Sequence, residues 1–439
     1  GTGGGAGVGV PFGALERDRR TGVPGGGEQA RGRGVGGLPR AVEEMLQAPG
    51  RRDVPVAGLE QAALVAATLA AVEERPLVIL APRPDLADRA AQVARFVLQG
   101  GPVPYAFPRW VRSAESPYDE VVEGPYLAAA RLGTLGLLAF SDQPFLWTLD
   151  GALAARGVLP FRAFSEGVFR LEAGRDADLT VLVETLAQAG YRRVQTVSEI
   201  GEFAVRGGVV DFFTPVLEDP VRAEWDGDQV ARMRIFDPAT QRAERPLHRT
   251  WVVPVWEVPG DPGALREALI RLRDFAAARG VPGTRVSEAE TAIASGRTPP
   301  GFQAMLPLIH GPLDLPLDYL GEDALVAVLD PGACREGADG ALEDLRQQAR
   351  TFSGPPRLAA DPEDLASPGQ RMMERLLERP GTVTFDLSSG GILGPASEEL
   401  RSSLWVRASG ADLPVADRVR GLRDLLHQAT GSGRRVLVC

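Results

Sequence analysis

Two residue types are missing. The 439-residue sequence contains neither lysine nor asparagine, so its 48 basic side chains are all arginine. No Schiff-base lysine, no lysine ligand for a phosphate and no lysine general base can therefore exist in it. The two cysteines, Cys334 and Cys439, are far apart and show no ligand-like spacing, so neither a disulfide framework nor a zinc site follows from them. Histidine is equally sparse. His248, His310 and His427 are scattered, and each reads as a partly exposed structural histidine. No catalytic residue and no metal ligand is expected. No stretch approaches the ~20 apolar residues of a membrane span, and the start lacks the charged-then-apolar pattern of a signal peptide. A cytoplasmic location with no membrane contact is the default expectation. A net charge of −10 argues against a dedicated nucleic-acid-binding domain, which usually carries a basic excess.

What is present reads as globular, with 44% hydrophobic and 24% charged residues over a length that suggests about three domains. Residues 1–36 are glycine-rich, without the spacing or preceding strand of a dinucleotide fingerprint, and read as a flexible tail. Order is expected from Leu38 onward. Val54–Ala57 and the run Pro76–Pro82 read as strands, followed by helices over Glu60–Glu73 and Asp85–Leu98, and Pro144–Leu149 reads as a further strand. Strand–helix alternation of this kind predicts an α/β domain with a parallel sheet covered by helices.

The stretch from Gly190 to Asp237 has a different character. Asp178 can cap a helix whose Leu179, Leu182, Val183 and Leu186 share one face, with Gly190 just past its end. Two β-rich runs, Gly201–Val205 and Val209–Phe213, flank Arg206-Gly207-Gly208, where glycine permits a tight reversal. A second pair, Val221–Trp225 and Gln229–Phe236, is joined by Asp226-Gly227-Asp228, a strong hairpin signal. The outcome is a small antiparallel sheet from which arginines project. By composition alone, Arg192, Arg193 and Arg206 read as a solvated hairpin face.

The wording of this stretch resembles the family that contains the damage-verifying protein UvrB and the transcription-repair coupling factors (Mfd). The resemblance rests on Gly190-Tyr191, Gly201-Glu202-Phe203, Arg206-Gly207-Gly208-Val209-Val210-Asp211-Phe212-Phe213, Glu224-Trp225 and Gln241-Arg242, over about fifty positions. Phe107-Pro108, Trp110, Pro117-Tyr118-Asp119, Arg131-Leu132, Thr298–Phe302 and Leu413-Pro414 resemble the coupling-factor layout. Tyr105, Tyr118 and Tyr126 are too widely spaced to match the tyrosine-rich, DNA-clamping hairpin of UvrB.

The resemblance implies a RecA/helicase-like parallel-sheet domain built from two chain segments, 37–154 and 241–390. Between them lies an inserted α+β UvrA-interaction domain, 155–240, and residues 391–439 would begin a further α/β domain. It implies UvrA as partner, with Arg192, Arg193 and Arg206 on the docking surface. Phe212 and Phe213 alternate faces, one expected in the core and one on the patch, while Asp211 orients an arginine. The nucleotide site reads as degenerate. After Gly58, the positions wanting Gly, Lys and Ser/Thr hold Ala63, Leu64 and Val65, and the later strand ends in Asp330-Pro331 rather than Asp-Glu. Gly431-Ser432-Gly433 precedes a strand rather than following one and fails as a phosphate loop.

No cofactor is expected, and ATP and magnesium would belong to a motor outside this chain. RNA polymerase and double-stranded DNA would be bound by further domains, and a C-terminal domain would mask the UvrA surface within the full-length protein. The function implied is a non-catalytic module that recruits UvrA to stalled RNA polymerase. The rival is a UvrB-type, ATP-dependent damage-verifying protein.

Overall fold

The computed structural model describes residues 52–55, 58–99, 103–111, 116–119, 121–352 and 354–387. The expected tail, the domain expected from 391, His427, Cys439 and Gly431–Gly433 lie outside the described residues.

Three strands come first, β1 (Arg52–Pro55), β2 (Leu77–Ala81) and β3 (Leu146–Asp150). The chain then leaves through eight strands. β4 is Phe169–Glu172, β5 Arg192–Arg193, β6 Glu202–Arg206 and β7 Val209–Phe212. β8 is Val221–Asp226, β9 Gln229–Phe236, β10 Ala243–Leu247 and β11 Arg249–Val252. It returns with β12 (Leu325–Leu329) and β13 (Thr382–Asp386), and the first and last sets form one parallel sheet in the order β1-β13-β12-β2-β3.

Both faces of that sheet are covered, which is why β2 and β12 are unbroken apolar runs rather than alternating ones. Leu77 and Ile79 pack against helices Leu59–Glu73 and Pro84–Leu98. Val78 and Leu80 pack on the other side, with Leu132 and Leu135 of helix Pro125–Phe140 and Met372 of helix Gly369–Leu377. Each fully buried Leu, Ile or Val stabilises by roughly 1.5–3 kcal/mol, so these two strands anchor the domain.

The inserted unit holds a six-stranded sheet, β10-β9-β8-β7-β6-β5, antiparallel except for the parallel pair β5/β6. β4 and β11 pair antiparallel and bring the two ends of the insertion together. This corrects the expected boundaries 155 and 240. Phe164, Leu159 and Val158 belong to the core under the parallel sheet, and β10, beyond residue 240, pairs with β9. β11 ends at Val252, and Pro254, two residues on, has no N–H to give a ladder. The expected single segment 241–390 also contains a separate helical unit. Helices Pro262–Arg279, Gly283–Ala294 and Phe302–His310 share a core of Leu272, Ile293, Phe302 and Leu306.

The insert is seated closely on the first domain. Ala129, on helix Pro125–Phe140, packs into the insert's core. A Cβ added at Gly133 would lie 2.5 Å from the Pro215 carbonyl oxygen, so only glycine allows this approach.

Candidate functional site: the outer face of the inserted sheet

Helix Leu179–Gln188 begins where Asp178 accepts a hydrogen bond from the Thr180 N–H at 2.7 Å. It ends in a Schellman motif. The Tyr191 N–H bonds to the Leu186 carbonyl at 2.9 Å, and Gly190 takes φ 90. Its Leu182 and Leu186 bury against Phe203, Val210, Phe212, Val221 and Ala223, the inner face of the sheet. Strand alternation therefore turns Ala204, Arg206, Asp211, Arg222, Glu224, Arg232 and Arg234 to the outer face. Register confirms it, since Ala204 opposes Asp211, Asp211 opposes Arg222, and Arg222 opposes Arg234. A small apolar floor of Val197, Ala204, Phe213 and Phe236 lies on that side.

On this floor the charges are ordered. Asp211 is 1% exposed and accepts from Arg222 Nε at 2.7 Å and Nη2 at 2.8 Å, a bidentate pair. It also accepts from Arg206 Nη1 at 3.3 Å. Arg206 reaches the Gln195 carbonyl as well, and its side chain remains 51% exposed. The Arg222 guanidinium lies 4.8 Å over the Phe236 ring. Glu202, also buried, accepts from the Ser198 and Glu199 N–H groups at 2.9 and 3.0 Å and from Arg192 at 2.6 Å. Burial pushes its carboxyl pKa up, but these bonds outweigh burial and hold it below the usual value. Glu224 pairs with Arg232 at 2.5 Å. Arg234 is exposed and has no ion pair among the described residues.

The expected residues separate into two groups. Arg192 and Arg206 share this face, whereas Arg193, in register with inner-face Phe203, is exposed but turned to the other side of the sheet. Asp211 orients not one arginine but two. Phe212 and Phe213 are corrected, because both are buried, at 0% and 7% exposure, in cores on opposite sides of the sheet. Neither offers a surface to a visitor.

The phosphate-loop positions take a different form. Helix Leu59–Glu73 starts directly after Gly58, so Ala63, Leu64 and Val65 lie in its second turn, with Ala63 and Val65 buried. Glu60, in the first turn, pairs with Arg89. Asp330 caps helix Pro331–Thr351 by accepting from the Ala333 N–H at 3.0 Å. Tyr105 and Tyr118 donate to backbone carbonyls of Ala70 and Ala360, while Tyr126 is exposed. His310 bonds the Glu257 carbonyl at 2.7 Å, and His248 is exposed. Among the described residues no group of His, Cys, Asp and Glu could hold a metal, and no helix is long and apolar enough to cross a membrane.

Sequence reasoning missed Arg222, Arg232 and Arg234, although Arg-x-Glu and Arg-x-Arg on facing strands carry the period of one sheet face. It also missed a buried network. Arg131, 5% exposed, gives two bonds to Glu123 at 2.7 and 2.6 Å and two to Glu257 at 2.8 and 3.3 Å. Gln303 adds a bond to Glu257 at 2.8 Å.

Residues 169–257 match the family model described as the UvrB interaction domain. The chain is 30% identical over 419 residues to a transcription-repair-coupling factor of Myxococcus xanthus, covering 90% of this chain and 34% of that protein. A transcription-repair-coupling factor of Mycobacterium bovis is 30% identical over 328 residues, 72% of this chain and 25% of its own length. One from Staphylococcus haemolyticus is 35% identical over 122 residues, 28% of this chain and 10% of its length. The chain thus spans at most about a third of the curated relatives named here. Taken with the inserted sheet that the family model covers, these matches make the chain a relative of the transcription-repair coupling factors, resembling their N-terminal UvrB-homologous region and carrying a UvrB interaction domain.

Proposed function

We propose that this chain is a docking module without catalysis of its own, which binds UvrA through the outer face of the inserted sheet. In a longer protein it would bring UvrA to RNA polymerase stalled at a lesion, with polymerase and double-stranded DNA held by other segments. The observation that carries the reading is that Arg192 and Arg206 stand exposed at the sheet's edge, each anchored by a buried carboxylate, Glu202 and Asp211. A guanidinium fixed in this way has already lost much of the rotamer freedom that docking would otherwise cost. The parallel-sheet domain reads as a degenerate RecA-like scaffold. Its would-be phosphate positions Ala63 and Val65 are buried within a helix, and the chain has no lysine to hold a phosphate.

Direct binding of purified UvrA tests the proposal. Arg206→Ala is expected to cost about 2 kcal/mol, as truncation of a central interface arginine does. Unchanged affinity in both Arg206→Ala and Arg192→Ala would refute the site. ATP hydrolysis by this chain alone would instead favour the UvrB-type enzyme. A C-terminal masking domain predicts tighter UvrA binding by this chain than by the intact protein.

A further inference from the structure

The chain carries a net charge of −10, yet the outer face and edge of the inserted sheet run the other way. There Arg192, Arg206, Arg222, Arg232 and Arg234 meet Glu199, Glu202, Asp211 and Glu224, an excess of one positive charge. Positive charge is left over at two places. Asp211 serves two guanidiniums with one carboxylate, and Arg234, directly opposite Arg222, has no ion pair among the described residues.

We propose that Asp211 is a positioning residue that locks Arg206 and Arg222 into a fixed pair, and that the docking platform runs past the sheet edge across Arg222 to Arg234. The group it takes is an acidic protein segment presenting carboxylates at sheet spacing. The proposal rests on the reading of this face as the UvrA-docking surface and extends it inward.

The geometry favours protein carboxylates over nucleic-acid phosphate. Guanidiniums alternate with acidic side chains, so a polyanion laid along the face would meet Glu224 as well as arginines. Duplex-binding proteins commonly neutralise ~6–10 phosphates, far beyond an excess of one. Fixed guanidinium forks beside the Phe213 and Phe236 floor suit a few carboxylates at a partly desolvated interface. Asp211, 1% exposed, would act only through the arginines it holds.

The test uses the 439-residue chain and purified UvrA, with a duplex oligonucleotide as the second probe. Arg234→Ala is expected to weaken UvrA binding about five- to tenfold with an unchanged melting temperature. Asp211→Asn is expected to weaken it at least as much in the wild-type background, and less than about twofold once Arg206→Ala and Arg222→Ala are present. A merely structural Asp211 would cost affinity equally in both backgrounds, and that result overturns the proposal. So does an Arg234→Ala variant that binds UvrA normally, an arm that does not depend on whether Asp211→Asn folds. Loss of duplex binding with UvrA binding intact would assign the face to nucleic acid and overturn it too. If Arg206→Ala weakens binding while Arg234→Ala and Asp211→Asn do not, the docking site stands and the extension fails. If the wild-type chain does not bind UvrA, both fail.

Discussion

Arg131 and Asp211 are each a buried charge held between two partners of opposite sign, but the arrangement is inverted. At Arg131 one guanidinium serves two carboxylates, Glu123 and Glu257, and little of the cluster reaches solvent. Burial pulls the Arg131 pKa down, and the two carboxylates more than offset this, so it is raised overall and the residue stays charged. At Asp211 one carboxylate serves two guanidiniums, and the one on Arg206 is half in water. The first network has its charge enclosed and can only hold the chain together. It ties the loop before helix Pro125–Phe140 to the segment that leaves the insert and, through Gln303, to the helical unit. The second spends its buried carboxylate on holding cations outward. The same chemistry gives a clamp in one place and a presentation device in the other, and what decides is which member of the pair is left facing solvent.

That contrast can be broken by mutation. Arg131→Ala strands two carboxylates and should destabilise the fold by about 3–5 kcal/mol, read as a lower urea midpoint. A loss under 1 kcal/mol would mean the clamp is idle. Gly133→Ala probes the same seam by sterics. Alanine usually favours a helix over glycine, yet here a Cβ would meet the Pro215 carbonyl oxygen at 2.5 Å, so a loss of about 1–3 kcal/mol is expected. Gly340→Ala is the control. It lies within helix Pro331–Thr351 with open space where its Cβ would be, and should stabilise by about 0.5–1 kcal/mol.

The smallest effect is in pH. Burial pulls the His310 pKa below its ordinary 6.5, against the bond to the Glu257 carbonyl that raises it. The unfolded chain therefore takes up this proton first. Stability from His310 is full above the ordinary pKa and falls as pH drops below it toward the folded value. The urea midpoint of wild type should drop over that window, and His310→Gln should flatten the drop. An unflattened profile would show that other groups carry it.

Much of the inserted sheet was legible because its signals are local. Asp178, Gly190, the glycine pair after Arg206 and Asp226-Gly227-Asp228 act within a few residues, and each sits where its turn or cap requires. The exposure of Arg192 and Arg206 followed from the same hairpins. Other features depend on partners distant in sequence. Arg131 and Glu257 are 126 residues apart, and no local pattern marks either as buried. The insert's limits are set by β4 pairing with β11, a contact that no composition shift announces. Phe213 lies on the outer face as alternation requires. It is buried because Val197 and Phe236 pack on it there, which the strand's own residues could not reveal. The positions read as a degenerate phosphate loop were recognisable by their residue types, and the alanine-rich run that carries them into a helix after Gly58 was legible as the helix expected over Glu60–Glu73.

On the proposed reading, solvent-facing guanidiniums held by buried carboxylates make the partner surface. It is tested most directly by the affinity of UvrA for Arg206→Ala relative to wild type, at a temperature where both are fully folded. A loss of about 2 kcal/mol, close to thirtyfold in Kd, is expected, with the melting temperature unmoved. Equal affinities for the two proteins would contradict it.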